Sequence, residues 1–134
     1  MRVLALIAVI ILSGCVTPQE RRNQQAALER EFQKTVPVCI EGIDCDRMWA
    51  AARRWVLDNS GFRLQHYGSD FMETYNNRNS AETSTWARVT KEPGRGGQSR
   101  ILIELGCNNW FSCSLSPLGE AKLRFNRHVQ AAAD

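Results

Sequence analysis

Apolar and polar positions follow two different periods along this chain, and the change of period marks out its elements. Over residues 46–59, Met48, Trp49, Ala52, Trp55 and Val56 fall at i, i+1, i+4, i+7 and i+8, the stripe of an amphipathic helix. Arg47, Arg53, Arg54 and Asp58 lie largely on the other side. Asp44 or Asp46 is placed to cap this helix. Asn59-Ser60-Gly61 is placed to stop it, with Gly61 free to take the left-handed conformation. The period then drops to two. Residues 62–67 alternate as a strand, with Phe62, Leu64 and His66 on one face and Arg63, Gln65 and Tyr67 on the other. Gly68-Ser69-Asp70 turns the chain, and residues 71–76 return as a second strand. Residues 76–84 are polar and asparagine-rich, the composition of a loop. Residues 85–91 and 100–105 make a second hairpin around the loop 92–98, with Ile101, Ile103 and Leu105 facing the core opposite Ala87 and Val89. A helical period returns after Ser116, a cap with Pro117 at the first helical position, and Leu118, Ala121, Phe125 and Val129 line one face.

Upstream, Thr17-Pro18-Gln19-Glu20 has the form of a helix start, with Thr17 as N-cap and Glu20 reaching back to it. The residues through Lys34 are strong helix formers with few apolar groups, and Leu28, Phe32 and Val36 make only a thin stripe. A solvated helical stalk is expected, the alternative being that Leu28 and Phe32 dock on the domain or on a partner helix. Pro37 ends the segment, and residues 38–44 read as a short loop. The fold class is α+β: a four-stranded antiparallel sheet, built as two hairpins, covered by two helices and preceded by a helical stalk.

The first fifteen residues set the expected location. Residues 3–12 are apolar, but ten residues in a helix span only roughly 15 Å, about half a bilayer core. A secretory leader fits better than a transmembrane helix. The leader ends in Leu12-Ser13-Gly14-Cys15, which resembles the lipobox of bacterial lipoproteins. The resemblance implies that Cys15 is the first mature residue and carries diacylglycerol and an N-acyl chain, with no other cofactor. It divides the chain into a signal peptide (1–14), a lipidated helical tether (15–36) and a small disulfide-stapled domain (37–134). Val16, where an aspartate would favour retention at the inner membrane, implies the periplasmic face of the outer membrane. The competing reading is a simple secreted protein in which Cys15 is unpaired.

Cysteine usage agrees with export. Cys39, Cys45, Cys107 and Cys113 remain once Cys15 is set aside, an even number that reads as two disulfides in an oxidising compartment. Local pairing, Cys39 with Cys45 and Cys107 with Cys113, is favoured because each short loop carries turn residues (Gly42; Asn108-Asn109). A cross-link between the two segments is the alternative. Zinc prefers tighter cysteine knuckles, and no metal site is expected. The chain has 17 basic and 14 acidic residues, a balance too mild to argue for nucleic acid.

Catalytic patterns are weak. His66 and His128 are the only histidines; neither accompanies a Gly-x-Ser-x-Gly turn, and His128 stands where a helix C-terminus favours a cation. Gly94, Gly96 and Gly97 lack the lysine and hydroxyl of a phosphate loop, so hairpin geometry explains them better. Glu73, Glu82, Glu92 and Glu104 have no spacing that marks a glycosidase pair. The candidates that remain are contact surfaces. Trp110 and Phe111 sit in the second cysteine-closed loop, where rigid aromatic anchors lose little entropy on binding, although packing on the sheet or last helix is the plainer expectation. Arg53 and Arg54 would meet an acidic partner or a lipid headgroup, or else form a solvated face.

The helix ending at Gly61 and the hairpin after it resemble helix-then-hairpin modules of bacterial envelope lipoproteins, including the C-component lipoprotein of outer-membrane barrel assembly. This chain has one such module instead of two, and adds the cysteine pairs. The likeness implies an accessory role and transfers no functional residue. The expected function is thus a non-enzymatic, membrane-anchored accessory or adaptor with an envelope protein partner. The alternative is a small envelope enzyme, or a cell-wall or ligand binder, with an unrecognised pocket.

Overall fold

A computed structural model describes residues 16–79 and 81–133; Cys15 and the apolar leader lie outside them. The element order is α1 (Pro18–Thr35), β1 (Val38–Ile40), α2 (Ile43–Asn59), β2 (Leu64–Tyr67), β3 (Phe71–Thr74), β4 (Trp86–Pro93), β5 (Gln98–Gly106) and α3 (Leu118–Gln130). The strands form one antiparallel sheet in the order β1-β5-β4-β3-β2. The fold is therefore α+β with five strands, one more than the periodicity predicts. The extra strand is β1, which pairs with β5 through Val38 opposite Arg100 and Ile40 opposite Gln98. Three residues are too few to show alternation, so the sequence pattern reads them as loop.

α1 begins as expected. The Thr17 hydroxyl accepts from the Glu20 amide at 3.2 Å, and the Glu20 carboxylate accepts from the Thr17 amide at 2.7 Å, which satisfies two donors that a helix start leaves open. Its C-terminal half is not free. Phe32 and Val36 belong to the core, and Leu28 packs on Gly119 at the start of α3. The fully buried Asn126 of α3 donates to the Phe32 carbonyl at 3.2 Å and the Thr35 hydroxyl at 3.1 Å. Leu28 meets residue 119, Phe32 stacks under Lys122 and Thr35 meets residue 126, so α1 and α3 run parallel. α3 also crosses α2 in the opposite sense, with Trp55 edge-on to Phe125 at 5.4 Å and Arg47 donating to the Ala133 carbonyl at 2.9 Å.

The core lies between these helices and one sheet face. α2 contributes Met48, Trp49, Ala52, Trp55 and Val56, the stripe read from the sequence, and adds Cys45. Met72, Ala87, Val89, Ile101, Ile103 and Leu105 point at it from the strands, and Ala121, Phe125 and Val129 from α3. Trp49 is large enough to reach the rim, where its indole N–H donates to the Gly68 carbonyl at 2.9 Å, the usual resolution for a buried Trp.

Several local expectations are corrected. α2 starts at Ile43 after Gly42, whose φ of 109° only glycine adopts readily. Neither Asp44 nor Asp46 is its cap; both lie in the first turn, where carboxylates meet the positive end of the helix dipole, and Asp44 accepts from the Ile40 amide at 3.0 Å. Gly61 does not take a positive φ. It is required for space, since a Cβ there would stand 2.5 Å from that of Ser84. In β2 the pairing shifts between Leu64, opposite Thr74, and His66, opposite Glu73. This bulge turns Leu64 toward the core and His66 away from it, so the simple alternation fails. Ser116 does not cap α3. It precedes a cis peptide to Pro117, which occupies the cap position, and its hydroxyl accepts from the Cys113 amide at 3.0 Å.

Candidate functional site

Both disulfides form locally, Cys39 with Cys45 and Cys107 with Cys113. The second closes the loop that follows β5 and precedes α3. Inside it the Asn109 side-chain oxygen accepts from the amides of Phe111 at 2.9 Å and Ser112 at 3.2 Å, an Asx turn that fixes the tip locally. Both flanks are tied to the body. Asn108 donates to the Asn76 side chain at 2.9 Å and to the Asn77 carbonyl. Ser114 donates from its amide to the Thr83 carbonyl at 2.7 Å, and the buried Thr85 hydroxyl accepts from the Leu115 amide at 3.2 Å.

From this braced platform Trp110 and Phe111 point into solvent, 85% and 97% exposed. Packing on the sheet or last helix, the plainer expectation, is overturned. The disulfide and the Asx turn hold the tip in a closed loop with both rings in solvent. Free energy favours burying two adjacent aromatic rings, at roughly 1.5–3 kcal/mol for a side chain such as Phe, so their exposure is the least economical feature of the domain.

Arg53 and Arg54 belong to a different site. They line an open groove of about 630 Å³ with Leu57, Tyr67, His128 and Ala131. The Arg53 guanidinium lies 4.9 Å from the centre of the Tyr67 ring, a cation–π contact between two residues of the lining. Asp58 is the acid of the lining. The groove includes no residue of the 107–113 loop, so the sequence's candidate contact residues form two separate surfaces.

A third surface escaped the sequence reading. The helices cover one face of the sheet, and the other is open. Across it run His66, Glu73, Arg88 and Glu104, one from each of four neighbouring strands. His66 meets Glu73 at 3.0 Å, and Arg88 bridges Glu73 at 3.3 Å and Glu104 at 3.6 Å. Beside this row the Trp86 ring lies over Gly106, where an added Cβ would approach it to 2.6 Å. Alternation in β4 and β5 puts Arg88 and Glu104 on one face, but their pairing depends on the register of the hairpin, which composition does not fix. Arg88 engages both Glu73 and Glu104, and Glu82 is held by Ser84, accepting from its amide at 3.0 Å and its hydroxyl at 2.6 Å. These hydrogen bonds, from the hydroxyl first and then the amide, lower the Glu82 pKa below the ordinary 4.5.

Among the described residues, no helix is long and apolar enough to cross a membrane, and no cluster of three or more His, Cys, Asp or Glu side chains is placed to hold a metal ion. Comparison with protein-family models, with curated proteins and with solved structures finds no match to this chain.

Proposed function

We propose that this chain is an exported lipoprotein, fixed by acyl chains on Cys15 to the periplasmic face of the outer membrane, whose stapled domain is a non-enzymatic accessory or adaptor. The observation that carries this reading is the Trp110–Phe111 pair, held out by a disulfide instead of being packed. A rigid aromatic pair in water suits recognition by contact, because ordering costs are already met. The two disulfides support an oxidising compartment. The exposed N-terminal half of α1, which follows Cys15 after two residues, serves as the tether between lipid and domain. A second reading rests on the groove of Arg53, Arg54 and His128, which would receive a small anionic ligand.

The anchor is tested by expressing the full chain, leader included, in a Gram-negative host and measuring the mass of its amino-terminal peptide. The peptide is expected to begin at Cys15 with diacylglycerol and a third acyl chain, and Cys15→Ser is expected to move the protein from the membrane fraction to the soluble periplasm. An intact amino terminus without fatty acid would remove the lipoprotein reading. In vivo cross-linking from the Arg54 position then separates an adaptor, which yields a protein adduct, from a small-ligand binder.

A further inference from the structure

We propose that the Trp110–Phe111 loop is itself a membrane contact: its tip enters the headgroup region of the bilayer that holds the amino terminus, giving the domain a second attachment and a fixed tilt. The proposal rests on the lipid-anchor reading and names what the exposed aromatic pair touches.

Topology carries the argument. α1 and α3 run parallel, with Leu28 level with Gly119, and Gln25 and Leu28 share a groove with Pro117 and Leu118. Gln24 also shares a groove with Glu120, so the residues before it, back to Thr17, project beyond the start of α3, a helical length of about 10 Å. The 107–113 loop lies at that same end. Ser114 and Leu115 just after it bond to Thr83 and Thr85, and Thr85 accepts from Ser60 at the end of α2. α2 runs antiparallel to α3, so its end lies beside the start of α3. The aromatic tip and the end of α1 that leads to Cys15 thus leave the domain on one side. An anchor at Cys15 puts the bilayer there.

The chemistry of the tip matches that location. Trp and Phe are side chains suited to the membrane–water boundary, where an apolar ring leaves water and the indole N–H stays hydrated. Exposed guanidinium groups accompany them: Arg21 on the first turn of α1, and Arg78 beside the Asn77 carbonyl that braces Asn108. Such groups favour the anionic headgroups of a bilayer surface. The acyl chains already make attachment stable, so the loop adds orientation. A single flexible tether lets a domain tumble above the membrane; two attachment points on one side turn the Arg53–Arg54 groove and the open sheet face to a defined direction.

The test uses the full chain as processed in its host, reconstituted into vesicles of phosphatidylethanolamine and phosphatidylglycerol, with and without dibrominated acyl chains. Wild type is compared with Trp110→Phe, a change at a solvent-exposed position that keeps the ring. Trp49 and Trp55 are buried and Trp86 lies on the sheet, so the difference between the two proteins reports Trp110. Brominated lipid is expected to quench that difference signal, and aqueous acrylamide to lose access to it on vesicle binding. Full acrylamide access without bromolipid quenching overturns the proposal. Protection from both quenchers also overturns it, and assigns the loop to a protein partner or a second copy. The amino-terminal mass, read on the same sample, keeps the two claims separate. Acyl chains without bromolipid quenching remove the loop contact alone. Quenching without acyl chains removes the anchor alone, leaving the loop as the membrane-seeking element.

Discussion

The two disulfide loops have the same spacing, with both bridges joining cysteines six positions apart, yet the fold uses them in opposite ways. Cys39 and Cys45 are buried; they join the edge strand β1 to the first turn of α2 and form part of the core. Cys107 and Cys113 are only half-buried and hold an aromatic tip away from the body. A chain-entropy argument assigns each closure roughly 2 kcal/mol, because the loops are of equal length. The difference lies in what the closed loop touches. The first bridge adds packing to closure and acts on stability, whereas the second adds almost no packing and acts on the shape presented to solvent.

The largest test of this contrast is removal of each bridge in turn. Cys39→Ala with Cys45→Ala is expected to cost about 3–5 kcal/mol, at the upper end for a native disulfide in a small domain, because sulfur atoms leave the core as well. Cys107→Ala with Cys113→Ala is expected to cost about 2 kcal/mol, the closure contribution alone. Denaturant unfolding of both variants under oxidising conditions checks the order. Equal losses would mean that the second loop is as structural as the first.

The aromatic side chains give the next contrast. Trp110→Ala is expected to change stability by under about 0.5 kcal/mol, as at a surface position without buried partners. Thermal unfolding measures it directly, and a loss of several kcal/mol would place Trp110 in packing contact after all.

These contrasts also show what the chain discloses about itself. α2 and the 86–105 hairpin were legible because long periods carry their own register: Met48 to Val56 repeat over two turns, and Ile101, Ile103 and Leu105 repeat over five residues. The local pairing of the cysteines was legible from turn residues in short loops. β1 was not, because three residues owe their strand state to β5 alongside them and to nothing in their own order. The docking of α1 was weakly legible. Its stripe of Leu28, Phe32 and Val36 is thin, and part of the attachment is a polar clamp from Asn126, ninety-four positions from Phe32 in the chain. The Asn126 side-chain oxygen has no hydrogen-bond partner among the described residues, a cost no sequence pattern announces. The exposure of Trp110 and Phe111 ran against the hydrophobic expectation.

The smallest effect distinguishes the platform of the second loop from its tip. Glu82 holds Ser84, and the neighbouring Thr83 carbonyl receives the Ser114 amide just beyond Cys113. The Glu82 pKa lies below the ordinary 4.5 because it accepts from Ser84, so the unfolded chain takes up this proton more readily than the folded one. The stabilisation from these bonds is therefore complete above the unfolded value and is lost as pH falls through the lower, folded one. On acidification the Ser84 and Ser114 amide resonances should shift together below about pH 4.5, with the tip still closed by its disulfide. Glu82→Gln keeps an oxygen acceptor for Ser84 but removes the titration, so the Ser114 shift should vanish from that window in the variant. If Ser114 shifts equally in both proteins, another acid braces the platform, and Glu82 does no more than order its own turn.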